Sequence, residues 1–365
     1  MEASVEIIVP AWNNPERTRA CLAALVATAP SARFVLINNG GDRATEQILH
    51  EFAEHLDDRA LLLTTTLNEG VVKAFNRGLE RACVDLVVLV RSDVLVGEAW
   101  LEPLLECIRD EAAAGLLIPD VTGKSRKTAR QGVRTRFEPD HGSFSLMLLR
   151  RTLYQQIGGF DEGLDDGVWC LRDYSRRAYS GGYLTYCVPQ STAVALPEQL
   201  LGSTERREAR LLHARNEYEL RWEAPATYQV VIGSREALNG AAEFWKVLLR
   251  AARLGHDMHV YLPAGGCRYL SQAGWWTEHE NLTITELPRI FPGRTLLQKL
   301  AIMRETRGGD ILVVGSVTPS VDQSITPGEF ASRIEGQEHH IGMVCKGAPA
   351  GATSIQNAEE VVSGA

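Results

Sequence analysis

Along the first hundred residues, short apolar runs alternate with polar turns and with stretches whose apolar positions recur every three or four residues. Val5-Glu6-Ile7-Ile8-Val9-Pro10 predicts a strand running into Ala11-Trp12-Asn13-Asn14. Pro15-Glu16-Arg17 then opens a helix whose spacing continues through Leu22, Leu25 and Val26. Phe34-Val35-Leu36-Ile37 predicts a second strand, ending in Asn38-Asn39-Gly40-Gly41-Asp42. Leu86-Val87-Val88-Leu89-Val90 predicts another, and it stops abruptly at Arg91-Ser92-Asp93. Apolar runs that finish in such turns are the pattern of a parallel sheet with its loops gathered over one site. In an open α/β sheet the ligand crevice lies at the carboxyl ends of the strands, so Asp93 is aimed at a substrate; the bland alternative is a cap for whatever follows Ser92.

The rhythm continues with a helix-like stretch from Ala99 to Ala113, a strand at Gly115 to Pro119 and a basic segment between Thr122 and Arg136. That segment carries Lys124, Arg126, Lys127, Arg130, Arg134 and Arg136, and reads as a solvated loop or as a flap near an anionic ligand. Phe144 to Leu149 returns to strand, a helix with Leu153 and Ile157 leads to Gly158-Gly159, and Tyr183 to Pro189 reads as a last strand. Glu198 to Trp222 is charged and helical in pattern, and composition shifts at Ala224-Pro225-Ala226. Strands are then expected at Tyr228 to Gly233, Met258 to Leu262, Leu282 to Thr285, Asp310 to Gly315 and His340 to Cys345, with a helix from Leu238 to Leu254. The expected organisation is α/β throughout: a domain over 1–223, a smaller Rossmann-like domain over 226–346, and a small-residue tail over 347–365.

Composition narrows the function. With 365 residues, 45% of them hydrophobic, the chain has ample material for two cores. A formal net charge of -8 argues against nucleic acid as the main partner, because phosphate-backbone binding wants a basic face. Seven cysteines are scattered without a CxxC pair, which indicates neither a disulfide framework nor a zinc site and suggests a reducing cytoplasm. No run reaches the ~18 apolar residues of a spanning helix, so any membrane association is expected to be peripheral.

The residues also carry a resemblance. Ile8 to Asn13, Ile37 to Gly40, Asn68-Glu69-Gly70 with Asn76-Arg77-Gly78, Arg91-Ser92-Asp93, Trp100 to Leu105 and Gly158-Gly159-Phe160-Asp161-Glu162 occur in one order over about residues 4 to 223. In that order and spacing they resemble the family 2 glycosyltransferases of the GT-A fold, the mostly parallel nucleotide-diphospho-sugar transferase sheet. The resemblance implies transfer of a sugar from a nucleoside-diphosphate sugar donor to a glycan, lipid-linked or small-molecule acceptor, with inversion. It also implies a divalent metal, Mn²⁺ or Mg²⁺, held by Asp93 against the departing diphosphate. Arg91 stands where the family has its first acid; a guanidinium cannot bind a metal but can contact ribose or phosphate, in partial replacement of it.

By the same resemblance, the nucleotide is read by Pro10, Ala11 and Trp12, by Asn38 and Asn39, by Asn68, Gly70 and Asn76, and by Arg91, Ser92 and Asp93. Any single asparagine among them could equally be a turn former. The family's general base falls at its ungapped position on Cys170 and Leu171, which cannot serve. Asp166 and Asp165, slightly upstream, are the candidate bases, with Asp173 a third whose other role would be arginine pairing. Ala195 and Leu196 stand where a metal-completing histidine is common, and His141 precedes an acceptor-facing region. Residues 239 to 260 resemble the opening βαβ of the GT-B glycosyltransferases. An alternative reading keeps the fold and drops the turnover, as a sugar-nucleotide or glycan-binding module partnering an active transferase. A nucleotidyltransferase is a weaker one, since Ala11 to Pro15 is not a basic, glycine-rich loop.

Overall fold

The protein was analysed as a computed structural model, which describes residues 4–121, 136–164, 167–196, 203–275, 278–315 and 324–347. Its first sheet is built outward from β1 (Val5–Ala11). The chain passes through α1 (Pro15–Thr28) to β2 (Arg33–Asn39), and through α2 (Arg43–Leu56) to β3 (Ala60–Thr65), each strand parallel to the last. It then returns through α3 (Val71–Arg81) to β4 (Leu86–Val90), which pairs in parallel with the other side of β1, Ile8 opposite Leu89. Outward growth on one side followed by return on the other leaves a switch point between β1 and β4, the position at which an open α/β sheet offers a crevice.

The sheet is completed by β5 (Val94–Val96), β6 (Ala114–Asp120), β7 (Leu146–Arg150) and β8 (Leu184–Ala195), in the order β3-β2-β1-β4-β7-β6-β8-β5. Strand β7 runs antiparallel to both neighbours, β4 and β6. Both faces are buried, as the uninterrupted apolar runs require. Ile7, Val9, Val88 and Val90 face α1 and α4 (Glu102–Asp110), while Ile8, Val87 and Leu89 face Phe75, Met147 and Tyr174. The remaining helices of this part are α5 (Arg151–Ile157), α6 (Val168–Ser180) and the long α7 (Thr204–Trp222).

Strand β8 outlasts its expected end at Pro189. A register irregularity falls between Pro119 and Asp120 on β6, where the partner jumps from Val188 to Thr192; beyond it β8 switches to β5, with Ala195 opposite Val94. The proline removes one ladder donor and the strand bends around it instead of stopping.

A second sheet follows, all parallel, in the order β11-β10-β9-β12-β13. Its elements are β9 (Thr227–Ile232), α8 (Arg235–Asn239), α9 (Ala242–Arg253), β10 (Asp257–Leu262), α10 (Gly266–Gln272), β11 (Leu282–Glu286), α11 (Pro292–Thr306), β12 (Asp310–Val314), β13 (Ser324–Ile325) and α12 (Pro327–Gly347). Its core gathers Val230, Ile232, Leu248, Val260, Leu312, Phe330 and Ile334, and takes Tyr218 and Trp222 from α7. No helix among the described residues is long and apolar enough to cross a membrane.

Two expectations are corrected here. The helix read over Leu238 to Leu254 is two helices, because Asn239-Gly240 breaks it and the Gly240 N–H closes onto Glu236. The strand read at His340 to Cys345 is the last part of α12. Its start explains the error: Thr326 and Glu329 form a reciprocal capping box, with Glu329 Oε2 accepting from the Thr326 N–H at 2.8 Å and Thr326 Oγ1 accepting from the Glu329 N–H at 3.2 Å. Once nucleated there, with Phe330 and Ile334 buried one turn apart, the helix carries through an apolar run that in isolation resembles a strand.

The two sheets are bolted together. Glu138, buried after the first part's basic segment, receives a two-pronged hydrogen bond from Arg253 on α9, at 2.7 Å on each prong. Its backbone makes a parallel bridge beside His279, and Asp140 accepts from Asn281 at 2.7 Å.

Candidate active site

The loops that rise over the switch point are cross-linked by polar side chains. Asn13, in the loop after β1, accepts from the Asp42 N–H at 2.8 Å, tying that loop to the start of α2. Asn39, at the end of β2, donates to Asn68 Oδ1 at 3.0 Å and accepts from the Glu69 N–H at 3.1 Å, so the turn before α3 is held against β2. Gly40 makes this closeness possible: its φ is +66°, and a Cβ there would lie 2.3 Å from the Leu67 carbonyl carbon. The carboxyl-end rim of β3, β2 and β1 is thereby one connected polar surface.

The fourth loop is Arg91-Ser92-Asp93. Its backbone is pinned from several directions: the Arg91 N–H donates to Ser145 O at 3.1 Å, Arg91 O accepts from the Val94 N–H at 3.1 Å, and Asp93 O accepts from the Leu196 N–H at 3.1 Å. The Cys21 thiol on α1 adds a contact to Arg91 O at 3.6 Å, and burial pushes that thiol up to about 12, so it stays protonated. Within this fixed turn, Arg91 Nε–H donates to Asp93 Oδ1 at 2.8 Å and Nη2–H to Oδ2 at 2.9 Å. The two side chains keep 24% and 19% of their surface exposed, which places the pair at the crevice and not in the core.

Whether a divalent metal fits can be tested on this geometry. A hard dication wants several oxygen ligands with free lone pairs. Asp93 spends both oxygens on the guanidinium, and the residue whose amide rests on Asp93, Leu196, has an aliphatic side chain. Among the described residues no three His, Cys, Asp or Glu side chains come together as a cation site. The expected metal ligand is therefore in place as a residue and stands in an ion pair with Arg91, with no cluster of acids or histidines around it among the described residues.

Other expected site residues have structural occupations. Pro10 and Ala11 are buried in β1, with Ala11 opposite Asn38 of β2, and Trp12 is half-buried at the crevice edge. Asn38 is buried and accepts from the Gly41 N–H at 2.9 Å, a turn-forming role. Asn68 accepts from the Gly70 N–H at 2.9 Å and so shapes the entry to α3. Asn76 points away from the rim: it donates to Phe160 O and Glu162 Oε1 and accepts from the Phe160 N–H, each at 2.9 Å. A Cβ at Gly159 would lie 2.6 Å from Asn76 Oδ1, so the Gly-Gly turn exists to let Asn76 clasp it.

Among the base candidates, Asp165 and Asp166 lie outside the described residues. Asp173 is fully buried, and its oxygens accept from Arg177 Nε, Arg221 Nη1 and Trp222 Nε1, each at 2.8 Å. A carboxylate so enclosed has no face for an acceptor hydroxyl; it is the hub that joins α6 to α7. Cys170 and Leu171, where the ungapped base would fall, are buried on α6. His141 Nδ1 is bonded to Gly142 O at 2.6 Å. Of the basic segment, Arg136 pairs with Glu111 at 2.6 Å and the rest lies outside the described residues. Asn13, Cys21 and Ser145 were not singled out in sequence. The one signal for Asn13 was the pair Asn13-Asn14 before Pro15, and both have φ near 55°, a left-handed conformation that asparagine tolerates.

A mostly parallel sheet with an acidic turn at its switch point is the architecture of the nucleotide-diphospho-sugar transferases. A mannosyltransferase from Pyrobaculum calidifontis, solved in complex with GDP-Man and Mn2+, shares the fold with a TM-score of 0.51 at 15% identity, over 95% of this chain and 87% of that one. Residues 6–177 match the profile of glycosyl transferase family 2. The poly-beta-1,6-N-acetyl-D-glucosamine synthase of Staphylococcus epidermidis is 20% identical over 70% of this chain and 55% of its own length. An N-acetylglucosaminyltransferase of Neorhizobium galegae is 33% identical over 31% of this chain and 28% of its own. The chain thus spans about half or less of these curated relatives.

Proposed function

We propose that the protein transfers a sugar from a nucleoside-diphosphate sugar to a hydroxyl of a glycan, lipid-linked or small-molecule acceptor, with inversion at the anomeric carbon. The observation that carries this reading is the Arg91-Ser92-Asp93 turn, fixed by backbone hydrogen bonds at the switch point of the sheet's topology. The acceptor oxygen attacks the anomeric carbon as the bond to the diphosphate oxygen breaks, and the acceptor's proton passes to a carboxylate. Asp166 is the proposed base, with Asp165 beside it. In sequence they stand between the turn clasped by Asn76 and the start of α6. The nucleotide would lie along the rim of Trp12, Asn39, Asn68 and Gly70.

A thermal-shift and calorimetric screen of UDP, GDP and their sugars tests the donor site, because a bound ligand raises the melting temperature by linkage. Asp166→Asn should lower turnover about 100-fold with donor affinity unchanged; equal rates would remove it as base. Donor binding without transfer to any acceptor class would favour the second reading, a sugar-nucleotide-binding partner of an active transferase. That reading draws on the burial of Cys170, Leu171 and Asp173 where family carboxylates work. Cys21, Cys83, Cys107, Cys170, Cys187 and Cys267 are thiols and not half-cystines, which suits a reducing compartment such as the cytoplasm.

A further inference from the structure

A surface helix normally turns its apolar side inward and its polar side outward, and α11 does not. Inward, Leu296 and Leu300 join Val231, Tyr261 and Ile311 in a small core of the second sheet. Outward, Leu297 and Ile302 stand 44% and 59% exposed, and just before the helix Ile290 and Phe291 stand 73% and 74% exposed. Phe291 also has φ near 55°, a left-handed conformation unfavourable to a bulky residue, so an exposed aromatic ring is set on strained backbone.

The charge around this face has one sign. From Leu287 to Arg304 the chain carries Arg289, Arg294, Lys299 and Arg304 and no acid, within a sequence whose formal net charge is -8. Arg294, Leu297, Ala301 and Arg304 follow one another at three- and four-residue spacing, so cations and apolar groups share one row of the helix. None of the four cations pairs with a described carboxylate, whereas Arg307, three residues on, is held by Asp257 at 2.7 Å.

These features choose among occupants. A second copy of the chain would set like charges against each other across a two-fold axis. A nucleic acid would meet the arginines but gain little from aliphatic side chains, because it is held by stacking and by a basic field. A bilayer with anionic headgroups matches both properties: the apolar side chains enter the headgroup boundary while arginine and lysine reach lipid phosphates. It also needs no shape complementary to the convex face of a helix. No described helix is long and apolar enough to cross a membrane, so the contact lies along the surface.

We infer that Ile290, Phe291 and the outer face of α11 form a docking surface for an anionic membrane. This goes beyond the transferase reading and does not depend on it.

The test is co-sedimentation of the full chain with vesicles of phosphatidylcholine alone and of phosphatidylcholine with about 30% phosphatidylserine. The expected result is binding to the anionic vesicles at least about tenfold tighter than to the neutral ones, weakening as salt rises from about 0.05 to about 0.5 M. Ile290→Ser with Phe291→Ser, and separately Arg294→Glu with Arg304→Glu, should each weaken that binding about tenfold or more while keeping the parent's melting temperature. Arg294→Lys with Arg304→Lys should bind as the parent does, because a membrane surface reads charge and not the guanidinium fork. Leu212→Ser with Leu220→Ser, exposed leucines on the mixed-charge α7, should change nothing. A parent that binds neither vesicle, or whose binding survives both weakening pairs, would overturn the inference. So would a lipid-free parent dimer that Phe291→Ser dissociates in analytical ultracentrifugation, or an RNA bound through these residues in place of the vesicles.

Discussion

Two arginine–aspartate clusters in the first part of the chain are made of the same atoms and do different work. In one, Arg91 and Asp93 pair at the crevice, partly open to water, on a turn fixed by its backbone. In the other, Asp173 is fully enclosed and gathers Arg177, Arg221 and Trp222, while Arg221 reaches on to Asp161 at 2.6 Å. Burial would push the Asp161 carboxyl up, but the Gly163 N–H and Arg221 outweigh it and hold it below the ordinary carboxylate range. The chemistry of the side chains does not tell the clusters apart. Their position does: one stands where the sheet's topology leaves an opening, the other where α6 and α7 close over the second core.

The comparison fails most visibly if the enclosed cluster proves dispensable. Asp173→Ala leaves the buried Trp222 indole N–H without its acceptor and takes one partner each from Arg177 and Arg221, and should cost about 3–5 kcal/mol in urea unfolding. A loss under about 1 kcal/mol would mean the cluster is no hub and would reopen Asp173 as a chemical group.

A buried group without a partner charge provides the next test. His256 accepts from the Ala226 N–H at 3.0 Å and bonds Gln337 at 2.7 Å, and burial lowers its pKa from 6.5 to about 4. Because the folded pKa is the depressed one, the stabilisation is complete above pH 6.5 and is lost as pH falls toward about 4. Between pH 7 and 5 this histidine should account for about 2 kcal/mol of lost stability, absent in His256→Asn. Asp161 and Asp140, held below their ordinary 3.8, lose stabilisation only at still lower pH. A pH profile unchanged by the substitution would place the histidine outside the cooperative fold. The smallest effect belongs to the crevice: Asp93→Asn should shift stability by less than about 1 kcal/mol, as a partly exposed ion pair does. A larger loss would move Arg91 and Asp93 into the structural class.

These contrasts explain what the sequence could disclose. β1, β2 and β4 were legible because strands buried on both faces are apolar runs, and the residues ending them fall at the crevice by topology alone. Asp93 was legible for the same reason, but its commitment to Arg91 was not, since pairing is a matter of side-chain geometry. Asn76 matches a family position, yet its partners lie more than eighty residues away and emerge only when the Gly158-Gly159 turn folds against α3. Asp173 likewise depends on Arg221 and Trp222, nearly fifty residues on. The end of α12 was misread because a short apolar window has no periodicity of its own, and the capping box that fixes its phase begins fourteen residues upstream of the run.

Glu138 sets a practical limit on dissecting the molecule. A protein cut after Trp222, where the first sheet's own elements are complete, would keep this carboxylate and lose Arg253, exposing a raw acidic seam where His279 and Asn281 used to lie. Whoever expresses the amino-terminal half alone should expect poor solubility, because Tyr218 and Trp222 lose the second core that covers them, and should not mistake the resulting inactivity for a defect of the crevice.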